Sequence, residues 1–290
     1  KGRCKGVMGD FMKKTIEEFQ KTKDFLVCVD SDGCAMDTMD IKHKRCFGPK
    51  VVEIWELQSI AEEFLAIWNG INLYSKTRGI NRFKGLVKAF EVVAAKGMDV
   101  PDFSSISRWV QESKELSNFA LEKTIQNNND EELRKVLQWS QEVNQAIVEL
   151  GQEDQPFPKV KEGLEAMSQL ADIAIVSSAN GKAVEDEWTR HGLISYVQVL
   201  LGQEAGSKAD CIAGLKANRF LHDQVLMIGD APGDLEAAQK NGVLYYPILV
   251  GREEESWEKL IVEGLPRLIE SRYEGEYQQR LIDEFNRSLE

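Results

Sequence analysis

Phe25-Leu-Val-Cys-Val-Asp-Ser-Asp-Gly33 decides the fold of this chain. An apolar run closed by Asp and Gly reads as a strand buried on both faces, the kind found in parallel sheets. Two carboxylates, Asp30 and Asp32, follow it one residue apart. Gathering like charges at a buried strand end is costly unless a cation or a reaction uses them. In open α/β sheets the carboxyl ends of strands are where ligands bind. The pair therefore suggests a nucleophile, Asp30, beside an acid/base, Asp32, with a divalent metal holding a phosphate between them.

Downstream of this strand the pattern turns helical. Apolar stripes at helical spacing run from Ile54 to Trp68, from Phe83 to a Gly97 stop, from Ser104 or Ser105 to Phe119, and from an Asp130 cap to Gly151. Between about residues 50 and 150 no strand is predicted. After Gln155-Pro-Phe-Pro158 strands and helices alternate. Strands are predicted at 173–176, 196–201, 225–228 and 243–250, separated by helices beginning near Val160, before Val184, at Lys208 and after Asp230. That alternation means βαβ units and a parallel sheet. The first strand is thus separated from its kin by an all-helical insertion. The segment after Ser256 reads as helical and charged.

Bulk composition narrows the function. The 290 residues carry a net charge of −12, with 42% apolar and 29% charged residues, as expected of a soluble globular protein. Such acidity argues against a nucleic-acid surface, which needs clustered Lys and Arg. No run reaches the length of a membrane span. Lys1–Met8 has no apolar core, so no signal peptide is visible. Cys4, Cys28, Cys34, Cys46 and Cys211 form no Cys-x-x-Cys pair and fit a reducing compartment. A cytoplasmic protein is expected; oligomeric state is not legible.

Four strand-end features line up in order: Asp30 and Asp32; Ser177, after Ile173-Ala-Ile-Val176; Lys208, after Gly206-Ser207; and Gly229-Asp-Ala-Pro-Gly-Asp234. A carboxylate attacking phosphorus needs its target's charge neutralised, a task for a hydroxyl and an ammonium group. Asp230 and Asp234 add negative charge suited to a hard, oxygen-preferring cation such as Mg²⁺. Taken singly, each feature has a bland reading: an Asp-Gly turn, strand-end punctuation, a solvated lysine or a helix cap.

Together they resemble the motifs of the haloacid dehalogenase-like superfamily. The resemblance implies an aspartyl-phosphate enzyme with Asp30, Asp32, Ser177 and Lys208 catalytic. It implies Mg²⁺ held by Asp30, the Asp32 carbonyl and Asp230, with Asp234 supporting. The helical insertion resembles the family's cap, and Asp37-Thr38 the residues that precede it. Arg78-Gly-Ile-Asn-Arg82 resembles the substrate loop of the β-phosphoglucomutase-like branch. Arg82, Arg78 and Ser178 are accordingly substrate-contact candidates.

The expected fold is α/β, a doubly wound parallel-sheet, Rossmann-like core (residues 20–38 and 155–265) with an all-helical cap (39–154) and a helical tail (266–290). The expected activity is Mg²⁺-dependent hydrolysis of a small phosphorylated metabolite. Asp32 argues against dehalogenation, which needs no leaving-group proton. A sugar-phosphate mutase and a non-catalytic ligand-binding relative are the alternatives.

Overall fold

A computed structural model describes residues 15–151 and 153–289; Cys4 and the Lys1–Met8 segment lie outside the described residues. Five strands form one sheet: β1 Phe25–Val29, β2 Ala171–Val176, β3 Val199–Leu201, β4 Val225–Gly229 and β5 Leu244–Pro247. Their order is β3-β2-β1-β4-β5 and every pairing is parallel. The strand that opens the sequence argument is therefore central, with Val29 opposite Ile175 on one side and Ile228 on the other.

Between β1 and β2 lie α1 Met39–Lys42, α2 Gly48–Ile54, α3 Ala61–Leu73, α4 Arg82–Ala95, α5 Ser104–Glu112, α6 Asn118–Asn128, α7 Glu131–Glu149 and α8 Val160–Ser168. The remaining helices are α9 Gly181–Arg190, α10 Lys208–Lys216, α11 Pro232–Asn241, α12 Glu253–Lys259, α13 Leu265–Ile269 and α14 Glu276–Ser288.

Strand alternation sorts the core into two layers. Val27, Val29, Ile173, Ile175, Leu226 and Ile228 pack against α8 and α9 through Leu164, Met167, Val184 and Trp188. The intervening residues Leu26, Cys28, Ala174, Val176 and Met227 face α10 and α11 through Ile212, Leu215 and Ala238. Helices on both faces explain why the strands read as continuous apolar runs. The predicted α/β, doubly wound parallel architecture is the observed one.

Several boundaries differ from the sequence reading. The stripe from Ser104 to Phe119 is two helices, because Ser113 is extended and Ser117 starts a new helix by accepting a hydrogen bond from the Ala120 N–H. The apolar stretch at 196–201 is a strand only from Val199, since Ile194–Tyr196 forms a 3-10 turn. β5 stops at Pro247, which has no N–H for a ladder.

The C-terminal segment packs on the sheet. Leu281 and Phe285 of α14 are buried, and the Tyr245 N–H of edge strand β5 donates to Gln278 Oε1 at 2.8 Å. This helix covers an edge that would otherwise be open to pairing.

The helices between β1 and α8 have an apolar cluster of their own, built from Phe47, Trp55, Phe64, Trp68, Phe90 and Trp139 with aliphatic neighbours. Among the described residues no helix is long and apolar enough to cross a membrane. Cys28, Cys34, Cys46 and Cys211 are buried free thiols.

Candidate active site

The turn after β1 is built from its own backbone. The Asp30 N–H continues the ladder to Ile228 O, and the Ser31 carbonyl accepts from Cys34, Ala35 and Met36 N–H groups. Ser31 Oγ accepts from Trp188 Nε1 at 2.9 Å, tying the turn to α9. Gly33 closes the turn at φ +80°, and a Cβ there would lie 2.6 Å from both Arg78 Nη2 and Asp230 Oδ2. Only glycine satisfies both the backbone and the space.

Asp230 emerges from β4 in register with this turn, and Asp234 sits in the first turn of α11, where its Oδ2 accepts from the Ala231 N–H at 3.0 Å. Gly229 makes this possible: a Cβ there would fall 2.3 Å from Asp234 Oδ2. Asp30, Asp230 and Asp234 thus come together, all buried, each offering an oxygen within 4.8 Å of the others.

Lys208, at the start of α10, reaches Asp30 Oδ2 at 2.6 Å and Asp234 Oδ1 at 2.5 Å. Its helix is started by Ser207, whose Oγ accepts from the Asp210 N–H. Ser177 follows β2, is buried, and accepts at Oγ from the Ala179 N–H at 3.1 Å. A hydroxyl that accepts in this way still has its own proton to give.

Burial pushes the Asp30 carboxyl well above its ordinary range; Lys208 opposes the shift, and Asp234 and Asp230 reinforce it. Asp230 is pushed up to about 6, chiefly by burial and against the Arg78 charge. Lys208 is desolvated, yet Asp234 and Asp30 hold it firmly protonated. Asp32 is the opposite case. Burial would raise it, but the Lys42 charge and the Thr38 hydrogen bond outweigh that and keep its carboxyl below the usual range.

The residues sequence reasoning missed surround Asp32. Asp32 Oδ1 accepts from Thr38 Oγ1 at 2.6 Å and from Lys42 Nζ at 2.9 Å, and Lys42 Nζ also donates to Glu187 Oε1 at 2.9 Å. Lys42 reads in sequence as part of a basic linker, Lys42-His-Lys-Arg45. For Glu187 there was a signal: it lies beside Val184 and Trp188 on the apolar face of α9.

Of the substrate-contact candidates, the structure brings only Arg78 to the acidic cluster. Its Nε donates to Asp230 Oδ2 at 2.7 Å and its Nη1 to Leu73 O at 2.8 Å. Arg82 is turned into the helical block instead. As the first residue of α4 it faces α7, where Nη1 donates to Ser140 O, Ser140 Oγ and Asn144 Oδ1, and its guanidinium lies 4.9 Å from the Phe47 ring centre. Ser178 is exposed.

The Gly33 geometry gives a direct expectation. Gly33→Ala should destabilise the protein by about 1–2 kcal/mol through φ alone, and more as the methyl pushes Arg78 off Asp230. Urea unfolding checks it, and a wild-type midpoint would contradict the geometry.

The residues of this cluster are of a kind that can hold a divalent metal ion. Asp230 Oδ1 is buried and has no hydrogen-bond partner. An orphaned carboxylate oxygen beside two further buried carboxylates fits a hard cation with oxygen ligands.

Comparison with known proteins bears on the same residues. The sequence pattern of a family described as haloacid dehalogenase-like hydrolase matches residues 80–246. That stretch includes Ser177, Lys208, Asp230 and Asp234 and begins after β1. No curated protein matches the chain. Among solved structures, a haloacid dehalogenase-like family hydrolase from Streptococcus pneumoniae is 16% identical, with 81% of this chain and 90% of that one covered and a TM-score of 0.44. A protein described as a predicted phosphoglycolate phosphatase from Haemophilus somnus is 16% identical, with 78% and 85% covered and a TM-score of 0.48.

Proposed function

Because this chain belongs to the haloacid dehalogenase-like hydrolase family, we propose that it hydrolyses a small phosphomonoester through a phosphoryl group carried transiently on Asp30. The observation that carries the proposal is the convergence of Asp30 and Asp230, at the ends of adjacent strands β1 and β4, with Asp234 from the first turn of α11, all buried, with Lys208 between two of them. Lys208 and Arg78 offset two of these three like charges, and a metal ion serving a reaction would offset the remainder.

The roles follow the motif positions; in the metal-free protein burial pushes Asp30 toward its neutral form while Lys42 and Thr38 hold Asp32 ionised, so each must change its proton state to act. Asp30 is the nucleophile, which would attack phosphorus opposite the leaving oxygen. Lys208 orients Asp30 and offsets charge on the phosphoryl oxygens, and Ser177 donates its hydroxyl proton to one of them. Asp32 gives a proton to the leaving alkoxide and takes one from the water that hydrolyses the acyl phosphate. Thr38 and Lys42 fix the orientation of Asp32. Asp30, the Asp32 carbonyl, Asp230 and Asp234 would hold Mg²⁺, which when bound supplies charge neutralisation for the transferring group. The helices of residues 39–154 would serve as the lid that selects substrate.

Arg82 favours hydrolysis over mutase chemistry. A mutase must seat a second phosphate, and the arginine expected to do so is engaged by Ser140 and Asn144.

The test is phosphate release from a panel of phosphomonoesters in Mg²⁺ and in EDTA. Release that depends on Mg²⁺ is expected, fastest on one small metabolite class. Metal-independent release, or none from any ester, would refute the proposal.

A further inference from the structure

We propose that Arg78 is a resident counter-ion for Asp230 that opposes metal binding in the phosphate-free protein, so that metal and phosphate are captured together. The inference rests on the metal-site reading above but not on turnover.

The loop between α3 and α4 presents Arg78 on a tight frame: Thr77 Oγ1 donates to Ile71 O at 2.6 Å, and the Arg78 N–H to Ser75 O at 2.8 Å. The guanidinium then enters the sheet's ligand-binding end and is almost wholly buried against Asp230, the two side chains being 2% and 1% exposed. Both surfaces are stripped to receive it. Gly33 leaves room for Nη2, and a Cβ on Gly79 would come 2.8 Å from the Ala231 Cβ. This is a built seat.

Charge gives the seat its consequence. Asp30, Asp230 and Asp234 face two cations, Lys208 and Arg78. With Arg78 docked, the ionised cluster is short of neutrality by one charge; without it, by two. A divalent ion entering beside a docked guanidinium meets repulsion that is little screened at a buried site. A phosphate dianion removes that penalty, because it brings the negative charge that both cations need. Linkage makes the effect reciprocal: a metal bound without phosphate must weaken the docking of Arg78.

Calorimetric titration of Mg²⁺ into the metal-free protein tests this without turnover. Arg78→Gln is expected to bind Mg²⁺ about tenfold more tightly than wild type or better. Inorganic phosphate should tighten Mg²⁺ binding to wild type by more than it does for Arg78→Gln. Equal or weaker binding by the variant would overturn the inference and make Arg78 a support that holds Asp230 for the metal. No binding by either protein would overturn the metal site and this inference together. Bound Mg²⁺ with no phosphatase activity would refute only the proposed function.

A measurement on wild type guards against a variant that fails to fold. Saturating Mg²⁺ should accelerate amide exchange in the 74–81 loop, and phosphate added with it should reverse the change. Slower exchange with Mg²⁺ alone would overturn the inference.

Discussion

Asp30→Asn is expected to abolish Mg²⁺-dependent phosphate release, by about 10⁴-fold or more, while the metal-free protein melts no lower than wild type. The two halves of this result have separate causes. An amide cannot attack phosphorus or carry the phosphoryl group, so the chemical step is lost outright. Stability follows a different ledger. Burial and the nearby Asp234 and Asp230 disfavour the ionised Asp30 side chain in the fold more than Lys208 favours it. Removing that charge relieves the fold, and Lys208 keeps its partner in Asp234 at 2.5 Å. An activity loss with an unchanged or raised Tm is the mark of a group that serves reaction at the expense of stability. Phosphate release and a thermal melt in EDTA read the two halves. Residual turnover within tenfold of wild type would remove Asp30 from the mechanism, and a collapsed melt would make it a structural residue.

What the sequence disclosed about this site and what it hid divide along a physical line. Asp30, Ser177, Lys208 and Asp230 each stand at a strand end or helix start, where an apolar run meets a polar residue. That junction is local, so it is readable. The sheet's order then brings the junctions together, since parallel strands joined by helices end on one side. The contacts that were not readable are between residues far apart in the chain: Arg78 with Asp230, 152 positions apart, and Lys42 with Glu187, 145 apart. No spacing rule connects such pairs. They depend on how the helical block sits on the sheet, which is set by packing. The contacts of Arg82 were hidden for the same reason. Its motif-like neighbourhood suggested a substrate, whereas the α4–α7 contact supplies Ser140 and Asn144 to its guanidinium. In the core the boundaries were drawn too long where apolar composition outran the ladder, at Tyr196 and beyond Pro247, and too short at β2, where the ladder already runs from Ala171 through the buried Asp172.

The helical block itself yields the largest stability prediction. Trp139→Ala should destabilise the block by about 3–5 kcal/mol. Trp139 is fully buried at the centre of its aromatic cluster, edge-on to Trp68 at 6.0 Å and within 6.3 Å of Phe47, Trp55 and Phe83. Its indole N–H also donates to Phe47 O at 3.3 Å. Phe47 ends a π-helical turn, His43–Phe47, that begins directly after Lys42, so truncation also removes the indole donor from its carbonyl. If residues 39–154 are a unit separate from the sheet, as we propose, the loss should stay inside it. Amide exchange should quicken across α2 to α7 and remain slow in β1, β2 and β4. One route outward runs through the π-helical turn to Lys42, and from there to Asp32 and Glu187; another is the Arg78–Asp230 pair. A modest fall in kcat with protected strands would mark these routes. Equal loss of protection in the strands would mean that block and sheet unfold as one, and the proposal of an independent lid would fall.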